Sequence, residues 1–306
     1  MKNKFAQALF AVGLILSFLP LQAQNIIRPK ITGPNGLYVN SYNGVLFFSR
    51  TDIETRNSAM SMELTFCYNS SSNNTNYGYG VGFSLGYEMR YFEDVIGGIT
   101  IVSGDGRSDL YQKFGRDYEA PAGVFSSLRQ YDNNKFCLTE KNGDKYYFDD
   151  PKYRKITSIV DRFGSRTTFT YQDSLLVKIT DEVGHTVNLS YSDGLLSSVK
   201  SSFNAGEITY QYDGLNRLRK LTDAMGNSTL YEYNNQNRID AIIDANGHRT
   251  LIAYNSAGMV SRMKTEVSDR TIRYEGDRTL FIDYTVPQNQ YSYYRCDSSS
   301  YMKVSL

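Results

Sequence analysis

Several residue types are scarce in this chain of 306 residues, and each shortage excludes a class of protein. Tryptophan is absent, and there are only 3 cysteines and 2 histidines. The widely spaced Cys67, Cys137 and Cys296 exclude a disulfide framework and a C-x-x-C metal site. We expect all three to be buried as small hydrophobic side chains, with a single disulfide bridge as the alternative.

The chain also lacks an excess of charge of either sign. Its formal net charge is +1, so no strong field would steer it onto nucleic acid or an anionic membrane. Proline is scarce at 6, whereas tyrosine reaches 26 and glycine 24. Tyrosine favours strands, and glycine with Asn and Asp supplies tight turns. The composition therefore predicts an all-β protein that does not bind nucleic acid.

Residues 1–23 have the layout of a secretory signal peptide. Lys2 and Lys4 precede an apolar run from Ala6 to Leu19, and Leu21-Gln22-Ala23 offers a small-residue cleavage site. The run is short for a membrane span, and no cysteine follows it that could carry a lipid anchor. We expect cleavage after Ala23 and export to the periplasm, the cell surface or the medium. The mature chain would then have no membrane span, and an uncleaved anchor is the alternative.

Residues 24–135 contain short alternating segments without a fixed period. Segments such as Glu63-Leu-Thr-Phe-Cys-Tyr68 stand between polar and glycine-rich clusters, a pattern typical of strands and hairpins. The glycines of Gly78-Tyr-Gly-Val-Gly82 permit a bend or a close backbone approach. We predict a non-repetitive, β-rich N-terminal domain that caps a repeat array, because a stack of repeats must be closed at its end.

From residue 136 to residue 287, the sequence repeats itself every 20 or 21 residues. The repeated tyrosines are Tyr171, Tyr191, Tyr212, Tyr233, Tyr254 and Tyr274, and the D-x-x-G turns begin at Asp161, Asp181, Asp223 and Asp244. A period of this length is typical of a repeat architecture. Residues 288–306 carry Tyr and Ser without turn markers, and we predict an irregular C-terminal tail there.

Apolar residues stand five and two positions before each turn aspartate, for example Leu218 and Leu221 before Asp223. A spacing of three residues suggests a helical turn, but each segment is only about seven residues long and is bounded by turn residues. We therefore predict two strands per unit, the second ending at the tyrosine, as in Ser228-Thr-Leu-Tyr-Glu-Tyr233. The aspartates are expected to accept backbone hydrogen bonds inside the turns.

The repeat units and the region before them resemble the RHS/YD-repeat family. The repeat match is carried by Tyr212-Asp213-x-x-x-Arg217-Leu218, Thr222-Asp223-x-x-Gly226 and Thr229-x-Tyr231-x-Tyr233, and the unit from Tyr233 to Tyr254 repeats it. The preceding region looks like the N-terminal domain of that family, through Asn40-x-x-Asn43-Gly44-x-Leu46, Thr51-Asp52, Tyr68-Asn69-Ser70-Ser71 and Gly80-x-Gly82-Phe83.

The resemblance implies a YD-repeat ribbon of β-hairpins that spirals into a partial or complete shell, often around a C-terminal toxin domain. It therefore implies a structural, non-enzymatic role without a cofactor, and further RHS/YD-repeat chains or a toxin cargo as partners. We expect the N-terminal part of such a shell, or a short relative of one. An open ribbon end would expose unpaired backbone groups and favour association.

One sequence motif suggests catalysis. Gly82-Phe-Ser84-Leu-Gly86 matches G-x-S-x-G, the nucleophile elbow of serine hydrolases, which needs a strand, a sharp turn and a helix. Nothing after Gly86 predicts a helix, and only His185 and His248 could serve as a base. An enzyme that uses Ser84 is therefore the weakest of the function hypotheses. Gly78-x-Gly80-x-Gly82 lacks the motif that phosphate binding would need.

The histidines follow a turn glycine in their units, at a place that other units fill with Ser165 or Asn227. A position shared by His, Ser and Asn indicates a polar turn residue. We predict no catalytic, cofactor-binding or metal site, with calcium at the turn aspartates as an alternative.

The repeat tyrosines leave a second function hypothesis open. Exposed rings at repeat spacing could stack on sugars, which would make the chain a surface module that binds glycans or a partner protein. We favour the interpretation that the rings pack between adjacent hairpins.

Overall fold

The structure of the chain is a computed structural model that describes residues 30–32, 34–55, 62–115, 117–275, 278–283, 290–296 and 301–305. Side chains are described from residue 35 to residue 275, apart from the same gaps. The predicted signal peptide and the side chain of Cys296 lie outside the described residues. Within the described part, no helix is long and apolar enough to cross a membrane.

An antiparallel sheet of five strands forms the first part of the fold. Its strands are β1 (Lys30–Thr32), β2 (Tyr38–Asn40), β3 (Leu46–Glu54), β4 (Glu63–Asn69) and β5 (Phe83–Leu85). The connections contain two short 3-10 helices, Pro34–Gly36 and Ser70–Ser72. Leu64, Phe66 and Tyr68 alternate along β4 and are buried, so one face of this sheet belongs to the core.

All later strands form a second antiparallel sheet, in which each strand pairs with the next along the chain. Its first strands are β6 (Arg90–Glu93), β7 (Ile99–Val102), β8 (Ser108–Phe114), β9 (Asp117–Glu119), β10 (Ser127–Asp132), β11 (Lys135–Thr139) and β12 (Lys145–Phe148). The following strands are β13 (Ser158–Val160), β14 (Arg166–Gln172), β15 (Leu175–Thr180), β16 (Thr186–Ser192), β17 (Leu195–Ser201), β18 (Ile208–Tyr212), β19 (Leu218–Thr222), β20 (Ser228–Tyr233), β21 (Ile239–Ile243), β22 (Arg249–Tyr254), β23 (Val260–Lys264), β24 (Asp269–Glu275), β25 (Arg278–Asp283), β26 (Gln290–Cys296) and β27 (Tyr301–Ser305). The predicted all-β array of hairpins is confirmed.

The beginning of the second sheet closes onto the repeats. Arg90 forms an antiparallel bridge with Lys155, and the N–H of Tyr91 donates to the carbonyl of Arg154 at 2.9 Å. The buried carboxylate of Glu88 contacts the ammonium group of Lys155 at this closure. Strands β6 to β12 are thereby joined into one body with the repeat strands that follow them.

The chain passes from the first sheet to the second between Leu85 and Arg90. This boundary lies inside the region 24–135, which the sequence predicts as one domain. Strands β6 to β10 continue the repeat sheet although they carry no 21-residue period.

Residues 288–306 contain the strands β26 and β27, whereas the sequence analysis predicts an irregular tail there. Tyrosine-rich segments favour strands even where turn markers are missing.

A β-bulge in each regular unit explains the three-residue apolar spacing. In the pairing of β18 with β19, Tyr212 lies opposite Leu218 and the residue before it lies opposite Lys220, so Arg219 is an extra residue. An extra residue lets Leu218 and Leu221 face the same side of the sheet. The same shift occurs at Tyr171, Tyr191, Tyr233 and Tyr254. The predicted pair of strands per unit is therefore confirmed.

The first sheet packs on one face of the repeat sheet, which we call the inner face. The rings of Phe48 and Tyr231 stack with centroids 6.4 Å apart, and those of Phe66 and Tyr210 lie 5.7 Å apart. All four residues belong to one continuous hydrophobic core. The N-terminal region thus covers the inner face of the ribbon in addition to supplying its first strands.

Candidate functional site

The repeat tyrosines bind the backbone of the preceding unit. The hydroxyl of Tyr233 donates to the carbonyl of Leu218 at 2.8 Å, one repeat earlier. The same bond runs from Tyr191 to Leu176, from Tyr212 to Leu196, from Tyr254 to Ile239 and from Tyr274 to Val260, at 2.7 to 2.9 Å. Each acceptor from Leu176 to Val260 stands beside the extra residue of a bulge, where the strand ladder is disrupted. Each of these tyrosine hydroxyls therefore donates a hydrogen bond to a carbonyl at the point where the bulge disrupts the hydrogen bonds between strands.

The surroundings of these tyrosines favour the protonated, donating hydroxyl. Burial raises the pKa of Tyr212 and Tyr233 well above the ordinary phenol range. The guanidinium of Arg217 lies 5.0 Å from the centroid of the Tyr233 ring, close enough for a cation–π contact. The six repeat rings are partly buried and pack against the core, so the predicted packing is confirmed for them.

The N–H groups at the same bulges bind the N-terminal region. They donate from Leu196 to the Gly78 carbonyl, from Ile239 to the Tyr68 hydroxyl and from Val260 to the Gly44 carbonyl, at 2.8 to 2.9 Å. A buried backbone group needs a partner, and here the first sheet and its loops provide it at repeat intervals. The N-terminal region is therefore aligned with the repeat period over at least three units.

Two glycines make this close approach possible. Gly44 has φ +66°, and a Cβ added there would lie 2.3 Å from the Cβ of Met259. Gly80 has φ +99°, and its added Cβ would lie 3.1 Å from the backbone nitrogen of Leu218. The close backbone approach predicted for the segment from Gly78 to Gly82 is thus confirmed.

The turn aspartates accept backbone hydrogen bonds, as predicted. One carboxylate oxygen of Asp223 accepts from the N–H groups of Met225 and Asn227 at 2.9 and 2.8 Å, and the other accepts from the Asn227 side chain at 3.0 Å. These bonds, led by the Asn227 side chain, lower the pKa of Asp223. The same backbone bonds occur at Asp161, Asp181 and Asp244.

The two histidines bind the aspartates of their own turns. Nδ1 of His185 lies 2.8 Å from Asp181, and Nδ1 of His248 lies 3.1 Å from Asp244. They occupy the place of Asn227 in its unit, so the predicted turn role is confirmed. Over the described residues, no group of three or more His, Cys, Asp or Glu side chains is arranged to hold a metal ion.

Ser84 lies in the middle of β5, and its hydroxyl donates to the carbonyl of Gly104 at 2.5 Å. A nucleophile elbow places its serine on a turn between a strand and a helix, and the position of Ser84 inside a strand differs from that geometry.

Cys67 is buried and Cys137 is half-buried, and both are free thiols. Burial raises the pKa of Cys67 to about 12, so it is an inert core residue.

Sequence reasoning missed one charged network between the two sheets. Arg50 and Asp52 of β3 form an ion pair with Nε and Oδ1 2.5 Å apart. Arg50 also donates to the Tyr231 hydroxyl at 2.7 Å, and the Tyr210 hydroxyl donates to Asp52 at 2.6 Å. Burial alone would lower the pKa of the Arg50 guanidinium. Asp52 and the two tyrosines raise this pKa by more, so the net shift is upward. The only sign of this network in the sequence was the pair Thr51-Asp52, which resembles the N-terminal domain of the RHS/YD-repeat family.

Comparisons with known families match two parts of the chain. Residues 212–250 match the family described as RHS Repeat, and residues 36–111 match the domain of unknown function DUF6531. No curated protein matches the chain.

The chain is also similar in part to solved structures. The crystal structure of TcdB2-TccC3 without its hypervariable C-terminal region matches with 11% identity and a TM-score of 0.36, over 88% of this chain and 15% of that one. The N-terminal domain of the effector protein SpvB from Salmonella typhimurium strain LT2 matches with 12% identity and a TM-score of 0.34, over 74% of this chain and 99% of that one. The chain spans about 15% of the length of the first of these structures.

A β-bulge, a tyrosine bond to the preceding unit and Asp-capped turns, repeated along one sheet, define a hairpin-repeat protein. The matched residues 212–250 lie inside this array, and residues 36–111 cover β2 to β7 and the first part of β8. The chain therefore contains RHS-type repeats, preceded by a region that matches DUF6531.

Proposed function

We propose that this chain is a non-enzymatic, exported structural protein that forms a wall of β-hairpins. The observation that supports this role is the bond from five of the six repeat tyrosines to the preceding unit. Through such a bond a hairpin completes the one before it. The turn aspartates are likewise used for local structure. The repeated residues thus hold a wall together.

The N-terminal region gives this wall a closed beginning. The first sheet and its loops bind the repeat units between Leu196 and Val260 on the inner face. That face therefore holds part of the same chain. We infer that further repeat chains, or a toxin polypeptide, would be bound beyond this segment.

Cross-linking followed by mass spectrometry tests the partners. Cells that export a tagged chain are treated with a lysine-reactive cross-linker, and the linked peptides are identified. We expect links to a second polypeptide that carries repeats or to an enclosed passenger. Links only between copies of this chain would contradict the proposed partners while leaving self-association intact.

Export is tested by the mass of the product outside the cytoplasm. We expect a chain that starts at Gln24, and retention of the whole chain in the cytoplasm would contradict export.

The non-enzymatic role is tested with a serine-reactive fluorophosphonate. Labelling should be the same for the unmodified chain and for Ser84→Ala. Labelling that disappears in the variant would show a reactive Ser84.

A further inference from the structure

Four Asn-Gly pairs occur in the sequence, and the fold holds them differently. They are Asn35-Gly36, Asn43-Gly44, Asn142-Gly143 and Asn246-Gly247. The backbone nitrogen of a glycine can attack the side-chain carbonyl of the asparagine before it, because no Cβ hinders the approach. The two reacting groups belong to neighbouring residues, so the reaction is fast wherever the side chain can reach the nitrogen. An amide that is held by hydrogen bonds must break them first.

The amides of Asn35 and Asn142 are held by hydrogen bonds. Nδ2 of Asn35 donates to the Thr250 hydroxyl at 2.8 Å, which ties this side chain to the repeat strand β22. Nδ2 of Asn142 donates to Oδ2 of Asp144 at 2.7 Å, and Oδ1 of Asn142 accepts from the Asp144 N–H at 3.0 Å. These bonds must break before either amide turns towards its glycine nitrogen, which slows the attack.

Asn43 is held by a hydrogen bond and by packing. Its Oδ1 accepts from the Val45 N–H at 3.3 Å, and the glycine that follows it is buried. An added Cβ on Gly44 would lie 2.3 Å from the Cβ of Met259, so the backbone of this pair packs directly against the repeats. A five-membered ring formed there would displace closely packed atoms.

Asn246 lacks each of these restraints. It is exposed, and its side-chain amide makes no hydrogen bond within the part of the chain that the structure describes. An added Cβ on Gly247 would meet nothing within 4 Å, so the space around the pair is open. The Gly247 N–H donates to the Asp244 carbonyl at 3.0 Å, but the N–H of Gly143 makes the same kind of turn bond at 2.9 Å. The asparagine side chains and their packing therefore distinguish the pairs.

We propose that Asn246 is a site of spontaneous deamidation in the folded protein. The nitrogen of Gly247 loses its proton to water and bonds to Cγ of Asn246, and the side-chain nitrogen leaves as ammonia. The resulting succinimide takes up one water molecule, which opens the ring at one of its two carbonyls. One opening gives aspartate, and the other gives isoaspartate, whose backbone is one methylene longer. The reaction consumes only water.

Deamidation changes the turn between β21 and β22. Both products place a carboxylate two residues after Asp244 and two residues before His248, and so add a negative charge beside that pair. Isoaspartate also lengthens the backbone of a turn that is closed by the bond from the Asp244 N–H to the His248 carbonyl at 3.1 Å. We expect this bond to be lost with isoaspartate and kept with aspartate, because aspartate leaves the backbone unchanged.

Incubation of the purified full chain at neutral pH tests the proposal. Mass spectrometry of its peptides follows the conversion of each asparagine to an acid, and the other three Asn-Gly pairs are controls within the same sample. We expect Asn246 to react about tenfold faster or more than any of them, because their amides must first be released by local opening. A rate at Asn246 that is no higher than at the other pairs overturns the proposal.

The same incubation of the chain unfolded in guanidinium chloride separates structure from sequence. There the four pairs should react at rates within about threefold of one another, since no fold protects any of them. If Asn246 keeps its full lead in the unfolded chain, the local sequence sets its rate and the proposal is overturned. Asn246→Gln is the chemical control, because glutamine would have to close a larger ring. This variant should stay unmodified at residue 246, and a product formed there at the rate of Asn246 would contradict the succinimide route.

Discussion

The hydroxyl of Tyr233 donates to the carbonyl of Leu218, one repeat earlier, at 2.8 Å. Five tyrosines make this bond, but the first in the series does not. The hydroxyl of Tyr171 is buried and has no hydrogen-bond partner in the described part of the chain. Both rings pack against the core, and the two tyrosines differ in the bond that a Tyr→Phe substitution removes.

We expect Tyr233→Phe to lower the free energy of unfolding by about 1–3 kcal/mol, because the carbonyl of Leu218 is left buried without a donor. Tyr171→Phe should change it by less than about 0.5 kcal/mol or stabilise the chain, since it removes an unpaired hydroxyl. Urea unfolding followed by circular dichroism measures both. Equal losses in the two variants would show that the ladder bond contributes nothing.

Gly44 tests whether the N-terminal region must approach the repeats so closely. Gly44→Ala places a methyl group in the side chain of Met259 and strains a positive φ, so we expect a loss of about 1–3 kcal/mol or more. Gly214→Ala is the control, because an added Cβ there meets nothing within 4 Å and no positive φ is present. Thermal unfolding should show a lower Tm for the first variant alone. A normal Tm for Gly44→Ala would contradict the contact.

The ion pair of Arg50 and Asp52 should be sensitive to the loss of one partner. Asp52→Ala leaves the guanidinium between the two sheets without its carboxylate, which we expect to cost about 3–5 kcal/mol of unfolding free energy. Adding Arg50→Met should recover part of that loss, since the unpaired charge is then removed. The exposed pair of Arg249 and Glu232, with Nη2 and Oε2 2.5 Å apart, supplies the control.

Glu232→Ala should cost only about 0–1 kcal/mol, because exposed pairs are screened by water and salt. Hydrogen exchange should also report where the structure loosens, with faster exchange in β3 to β5 for Asp52→Ala. If both aspartate and glutamate variants lose the same stability, the network between the sheets has no special role.

The repeat unit could be predicted from sequence because its determinants are local. Asp223 and Gly226 define their turn within four residues, and the strands are bounded by such turns. The side of the sheet on which Leu218 and Leu221 meet depends on a bulge, which is a property of strand pairing. The three-residue spacing by itself suggests a helical turn, and the short segments bounded by turn residues are what indicate strands.

The partners of the N-terminal region could not be predicted, because they are distant in sequence. Arg50 and Tyr231 are 181 residues apart, and Tyr68 and Ile239 are 171 apart. No periodicity connects such residues, and each of the two regions gives a complete strand pattern by itself. The sequence of the first sheet therefore indicates strands and a buried face without indicating what lies on that face.

The turn histidine His248 gives a prediction that depends on pH. Its hydrogen bond with Asp244 raises the pKa of its imidazole above the ordinary value of 6.5. A group whose pKa is raised on folding adds stability below its unfolded pKa, and this contribution is lost as the pH rises through the folded value. Because the pair is exposed, the global change should be small, and NMR titration of the His248 ring is the direct measurement. Asp244→Asn should lower its midpoint toward 6.5, whereas Asp223→Asn, in a turn without a histidine, should leave it unchanged. A midpoint that does not move in Asp244→Asn would mean that the turn aspartate does not bind the imidazolium in solution.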